Sequence, residues 1–298
     1  MQPPDTIPKT LHDATVYFSD PDNCLRYLAA KRWPDGVVKC PTCGSDKVSF
    51  VPSRRLWQCK KRHPKCQFSI KVGTIFEDSP IPLNKWLMAM WLIANCKNGV
   101  SSYEIHRGVG VSQKSAWFML HRIREAMKMK PERTFGSHWG NPIEVDETYV
   151  GGKAKNKHLN KRKQDPKKAI VMGMLNRETR EVRAKVIPEA RRDVLQGEIL
   201  KNIGWNAHVF TDGHTGYEGI DKYKNFTHRV VNHIDTYVDG RVHTQGIENF
   251  WTLLKRSLGG TYVAVEPFHL DRYVDEQVFR YNLRKNKNDA GRFDQAVS

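Results

Sequence analysis

The chain has 298 residues, with 49 Lys and Arg against 32 Asp and Glu and a formal net charge of +17. Hydrophobic residues make up 39% and aromatics 10%, enough to build packed cores and to exclude a disordered or low-complexity chain. The basic excess points to a polyanionic partner, since fixed positive charge displaces the counterions of phosphates. Membrane spanning is not expected, because the longest strongly apolar stretch, Trp86 to Ala94, is about half a span. Met1 to Asp20 has neither the basic flank nor the apolar run of a secretory signal. The charge is uneven: residues 1–139 carry +11, and Lys153–Lys168 holds eight basic residues and one Asp. The rest of the C-terminal half is slightly acidic, so one segment that reads as a loop supplies all of its positive excess.

In chain order, residues 1–35 read as a helical arm, with Cys24 in helix-like sequence as a core residue. Residues 36–72 carry Cys40-Pro-Thr-Cys43, a strand-like stretch from Val48 to Trp57, then Cys59 and Cys66. Without an export signal, a disulfide framework is not expected. Four thiolates from two knuckles match a closed tetrahedral Zn2+ site of the structural kind. The second knuckle is wide and contains His63, so a Cys3His site is the alternative. Arg54, Arg55, Lys60, Lys61, Arg62 and Lys65 surround the knuckles and suit phosphate contact.

Residues 73–135 read as helical. Leu83 to Cys96 has apolar residues at helical spacing behind Pro80 and Pro82. A short helix follows from Ser101 and Ser102 to Gly108-Val109-Gly110, then a longer one capped near Ser112 and running to about Met129. This is the order of a helix-turn-helix. It predicts that Gln113, Lys114 and Ser115 face the major groove, that Trp117, Leu120 and Ile123 pack inward, and that His121, Arg122 and Arg124 contact phosphates. A plain helical bundle joining two domains is the competing reading.

Residues 140–285 change texture. Pro142 to Val150 alternates as a strand; Ala169–Leu175 and Glu181–Ile187 read as a hairpin; a helix spans about Arg191 to Asn202. Ala207–Thr211 is a short strand delivering Asp212, His228–Asn232 is another, and a helix begins near Thr244 and passes Lys255. That order predicts a ribonuclease H-like mixed sheet, and the whole chain an α/β multidomain protein. It brings Asp146, Asp212 and Glu248 to a common address, with Lys255 two turns beyond Glu248 on its helix. Glu144 shares the Asp146 face, as an acid supporting the site or a solvent-facing one, and alternation sends Glu147 to the other face. Clustered carboxylates repel unless a cation is bound, and oxygen donors suit Mg2+ or Mn2+; two ions can serve a phosphodiester substitution. Each acid also has a plainer explanation, as a turn residue (Asp212) or a helix N-terminal charge (Glu248). Residues 286–298 read as a polar, frayed tail.

Val145-Asp146-Glu147-Thr148-Tyr149-Val150-Gly151-Gly152-Lys153, Phe210-Thr211-Asp212-Gly213 and Ile247-Glu248-Asn249-Phe250-Trp251-Thr252-Leu253-Leu254-Lys255-Arg256 resemble the three acidic blocks of a bacterial insertion-sequence transposase group. That group, named for insertion sequence fifteen-ninety-five, joins an N-terminal zinc ribbon to a DDE domain. Gly73-Thr74-Ile75-Phe76-Glu77 with Pro82-Leu83 resembles its linker. The resemblance implies metal-dependent DNA cleavage and strand transfer, with Asp146, Asp212 and Glu248 as metal ligands and Lys255 as the basic residue of the motif. It further implies double-stranded DNA partners (inverted repeats and target), a homo-oligomer with a dimer as default, and a prokaryotic cytoplasmic, nucleoid-associated setting. Lys161, Arg162 and Lys163 in the basic loop are candidates for clamping DNA. Two rivals stand beside it: a nuclease or resolvase of the same fold that does not join strands, and a DNA-binding regulator whose third domain is catalytically inactive.

Overall fold

Side-chain caps start the first two helices. Thr10 and Asp13 form a reciprocal capping box ahead of α1 (Leu11–Phe18), and Asp20 caps α2 (Pro21–Arg32), which has proline in its first turn. The computed structural model describes residues 8–129, 133–135, 140–151, 168–231, 243–285 and 287–298. It forms two units, Met1–Met127 with Leu283–Ser298, and Lys128–Asn282.

In the first unit, β1 (Val48–Val51), β2 (Leu56–Cys59) and β3 (Gln67–Phe68) make an antiparallel sheet. Trp57 of β2 lies between Trp33, Phe50 and Phe68, so the end of α2 and the sheet share one aromatic cluster. Next come α3 (Leu83–Asn95), α4 (Ser102–Val109) and α5 (Gln113–Ala126). Ser101 and Ser112 cap the last two, and α4 ends on Gly110 in the left-handed region. The helix, short turn and helix expected from the sequence are therefore present. Trp86, Leu87, Met90, Ile93, Ile105, Met119, Leu120 and Ile123 are buried.

The C-terminal segment differs from expectation. Instead of fraying, Asp289–Val297 forms a helix capped by Asn288. Its Phe293 is fully buried, stacked on Tyr27 and packed against Phe18 and Trp91. Asp294 pairs with Lys31 at 2.5 Å and accepts the Tyr27 hydroxyl at 2.9 Å. A polar nonapeptide with one aromatic looks unstructured alone, but one ring inserted among three others can anchor it.

The second unit is a five-stranded sheet of β4 (Pro142–Val150), β5 (Ala169–Asn176), β6 (Val182–Ile187), β7 (His208–Thr211) and β8 (Thr227–Val230), in the order β6-β5-β4-β7-β8. The first three form an antiparallel meander, while β7 and β8 run parallel to β4. This is the ribonuclease H-like arrangement. Residue parity sorts the two faces. Ile143, Val145, Met172 and Met174 pack with Leu195 and Ile199 of the helix Arg192–Asn202 (α6). Val171 and Leu175 pack with Ile247, Phe250, Trp251 and Leu254 of α7 (Gln245–Ser257), and with Val274 and Val278 of α8 (Leu270–Leu283). The C-terminal helix is α9. Among the described residues no helix is long and apolar enough to cross a membrane.

Candidate active site and metal sites

Strand register decides where the acids meet. β4 pairs with β7 only over Pro142↔His208, Ile143↔Val209 and Glu144↔Phe210. Among the described residues no strand pairs with this side of β4 beyond Glu144, and Asp212 follows directly after β7 ends at Thr211. Asp146, Glu147 and Asp212 each bring a carboxylate oxygen to within 4.8 Å of the others. Alternation does direct Glu147 to the other layer, where it accepts the hydroxyl of buried Tyr217 and faces His214 at 4.0 Å. It joins Asp146 and Asp212 nonetheless, because among the described residues no strand pairs with this side of β4 beyond Glu144. Pattern reading of β4 alone missed this.

Asp146 is gripped at both oxygens. Oδ2 accepts the Trp251 indole N–H at 2.8 Å and Oδ1 the Glu147 backbone N–H at 2.9 Å. Trp251 reaches it because Gly173, opposite Asp146 on β5, has no side chain: a Cβ there would lie 2.5 Å from the Trp251 ring. Burial pushes the Asp146 carboxyl up to about 7; the indole opposes the rise, and the charges on Asp212 and Glu147 add to it. Glu147 is raised as well, by burial first, against the Tyr217 hydrogen bond and with the help of Asp212. Half-buried carboxylates whose charges resist one another and offer only oxygen donors fit a hard divalent cation such as Mg2+ or Mn2+.

Glu248 lies outside that close group. It is exposed in the first turn of α7 and accepts the Thr244 hydroxyl at 2.9 Å. Lys255 is exposed on the same helical face, as its spacing requires. Glu144 is not solvent-facing: it is fully buried and paired with Arg177 at 2.7 Å.

In the ribbon, the metal-competent group is Cys40, Cys43, Cys59 and His63, not the four thiolates. Cys40 Sγ stands 3.5 Å from His63 Nε2, and Cys43 Sγ 3.7 Å from Cys59 Sγ. In a zinc tetrahedron with Zn–S near 2.3 Å and Zn–N near 2.0 Å, the corresponding edges are about 3.5 and about 3.8 Å. Cys66, whose carbonyl accepts the Cys59 N–H at 2.7 Å just ahead of β3, is not part of that group. His63, in the turn between, reaches back to Cys40. Burial raises the Cys40 thiol, but the N–H groups of Cys43 and Thr42 outweigh it and bring the thiol down to about 7, favouring the thiolate a metal needs.

The expected DNA contacts on α5 divide. Lys114 is exposed. Gln113 is half-buried and donates to Ser102 at 2.9 Å, and the Ser115 backbone N–H and hydroxyl both meet the Ser112 cap. Arg124 and His121 are buried, 1% and 2% exposed, and so cannot serve as phosphate contacts. Arg122 donates to the carbonyls of Ile75 and Glu77 and lies over the Phe118 ring, tying down the linker after the ribbon. Trp117, expected in the core, is exposed, because Ala116, Met119, Leu120 and Ile123 already cover the inward face. Around the knuckles, Arg55 is held by Asp22 and Arg54 by Gln67. Lys161, Arg162 and Lys163 lie outside the described residues.

Residues 139–282 match the family profile described as the ISXO2-like transposase domain, and residues 19–68 match the transposase zinc-ribbon domain. A protein described as uncharacterized, in the transposable element ISH50 of Halobacterium salinarum, is 27% identical over 252 residues, covering 78% of this chain and 81% of that one. Among solved structures, the catalytic core domain of BIV integrase aligns at 16% identity and TM-score 0.32, covering 50% of this chain and 84% of its own. A simian T-cell lymphotropic virus intasome, in complex with a regulatory subunit of PP2A, aligns at 13% identity and TM-score 0.31, covering 63% of this chain and 62% of its own.

Proposed function

Because this chain belongs to the ISXO2-like transposases that carry an N-terminal zinc ribbon, we propose that it binds the terminal inverted repeats of its element and cuts and joins DNA strands through Asp146, Asp212 and Glu248. The observation that carries this reading is the convergence of Asp146 and Asp212 where β4 outruns β7 in a ribonuclease H-like sheet. Mg2+ or Mn2+ held by these carboxylates would supply the charge that activates the attacking hydroxyl and neutralises the leaving oxygen. Asp146, held by Trp251 and the Glu147 amide, keeps a lone pair on each oxygen for an ion. Asp212 offers the second carboxylate, Glu147 a further oxygen donor, and Glu248 the third acid of the motif, from α7. Lys255 meets a DNA phosphate two turns further along the exposed face.

The ribbon and the α4–α5 pair bind DNA, with Lys114 as the α5 side chain free to approach a groove. Zn2+ on Cys40, Cys43, Cys59 and His63 closes the knuckles and takes no part in the chemistry. The basic segment with Lys161, Arg162 and Lys163 contacts flanking or target DNA, and two copies act together because two element ends must be joined. The test is a strand-transfer assay on labelled inverted-repeat ends with Mg2+. Joined products are expected from the intact protein and none from Asp146→Asn or Asp212→Asn. Cleavage without joining makes the protein a nuclease, and binding without cleavage makes it a regulator; either result overturns the proposal.

A further inference from the structure

The N-terminal turn of α7 is fastened by an ion pair buried in the sheet. Glu144, the third residue of β4, has no exposed surface. Its Oε2 accepts the backbone N–H of Ile247 at 2.8 Å, so a strand carboxylate satisfies an amide that the helix start leaves unpaired. Its Oε1 accepts Arg177 Nε at 2.7 Å and stands 3.4 Å from His243 Nδ1. Arg177 also donates to the His243 carbonyl, and its guanidinium lies 4.1 Å from the centre of the Phe210 ring. Gly246 permits the approach: a Cβ there would stand 2.8 Å from Glu144 Oε2. A buried ion pair holds a fold no better than apolar packing of the same volume, so stability alone does not account for this one.

Its contacts have a common feature. Glu144 precedes Asp146 by two residues on β4, Phe210 of β7 precedes Asp212 by two, and Ile247 precedes Glu248 by one on α7. We propose that Glu144 and Arg177 are positioning residues, which lock the first turn of α7 to β4 and β7 and so set the place of Glu248 relative to Asp146 and Asp212. This rests on the assignment of Glu248 as the third acid. The pair touches no substrate itself.

Two variants of the full-length protein separate reach from charge. Glu144→Gln keeps the length needed to accept the Ile247 N–H; Glu144→Asp keeps the charge but falls short by a methylene. Cleavage of labelled inverted-repeat DNA is followed against Mg2+ concentration, with thermal midpoints and hydrogen exchange of the α7 amides measured alongside. The Asp variant is expected to need about tenfold more Mg2+ for half-maximal cleavage, the lower range for loss of a group that orients a metal ligand. Its amides at 246–249 should exchange faster while those of Phe250–Leu254 stay protected. The Gln variant keeps an oxygen that can accept the Ile247 N–H, but its amide N–H then faces Arg177. It should lower the thermal midpoint yet show a clearly smaller rise in Mg2+ requirement and slower exchange at 246–249 than the Asp variant. Equal losses in both variants in step with lowered midpoints, or an unchanged Asp variant, overturn the proposal. If the wild-type protein itself does not cleave, the assignment of Glu248 fails, and the exchange pattern still decides whether Glu144 holds the turn.

Discussion

Replacing Asp146 with Asn should stabilise the metal-free protein at alkaline pH while weakening its response to Mg2+. The Asp146 carboxyl moves from the usual 3.8 to about 7, mainly through burial and then through Asp212 and Glu147. A shift of that size, at 1.36 kcal/mol per unit, corresponds to about 4 kcal/mol. Because the neighbouring acids share the repulsion, about 2–4 kcal/mol is expected for the single substitution. The folded-state value lies above the unfolded one, so ionisation opposes folding. The penalty is absent below pH about 4, grows as pH rises toward 7, and is complete above about 8. Asn carries no charge and its Oδ1 can still accept the Trp251 indole N–H. Denaturant unfolding in buffer without divalent ions should therefore give coincident curves at pH 4 and a more stable variant at pH 8. With Mg2+ at about a hundred times its dissociation constant, the wild-type protein should gain about 2.7 kcal/mol and the variant much less. A variant no more stable than wild type at pH 8, or a gap that does not change with pH, refutes the argument that crowding of buried charge defines this site.

Further outcomes follow from other parts of the molecule. His63→Ala should lose bound zinc by elemental analysis, while Cys66→Ser should retain one zinc per chain, since Cys66 lies outside the ligand group; the reverse result restores the four-thiolate site. Gly173→Ala should lower stability by about 1–3 kcal/mol through overpacking against Trp251, with a change in tryptophan fluorescence that reports the displaced indole. Phe293→Ala should cost about 3–5 kcal/mol in unfolding of the first unit, and an unaffected midpoint would mean that α9 does not complete its core.

The order of elements in the second unit was legible because strands and helices there obey strong local rules. Pro142–Val150 alternates, the hairpin turn is polar, and α7 shows helical apolar spacing, so boundaries agree with expectation to within a residue or two. Asp146 and Asp212 could be found for the same reason: each is an acid set against an apolar strand. Glu147 could not be added, because its membership depends on where β7 stops beside β4. The α5 surface was misread where periodicity alone was used. Arg124 and Trp117 exchange the expected places because the inward face of α5 is decided by what packs on it.

By itself, the sequence determined the composition of the machinery: a ribbon with cysteine knuckles, a pair of capped helices, and a mixed sheet with one acid inside a strand and another just past a strand end. Those features are local, set by residue type and by spacings of two or about 3.6 that the backbone imposes. Only the tertiary structure decided that His63 rather than Cys66 groups with Cys40, Cys43 and Cys59, that Glu147 joins the acids, that Glu144 and Arg177 fasten α7, and that the last helix belongs to the first unit. Each of those outcomes rests on groups far apart in the chain, or on opposite sides of a strand, meeting at one point. Such a meeting depends on register and packing, which no spacing along the chain encodes.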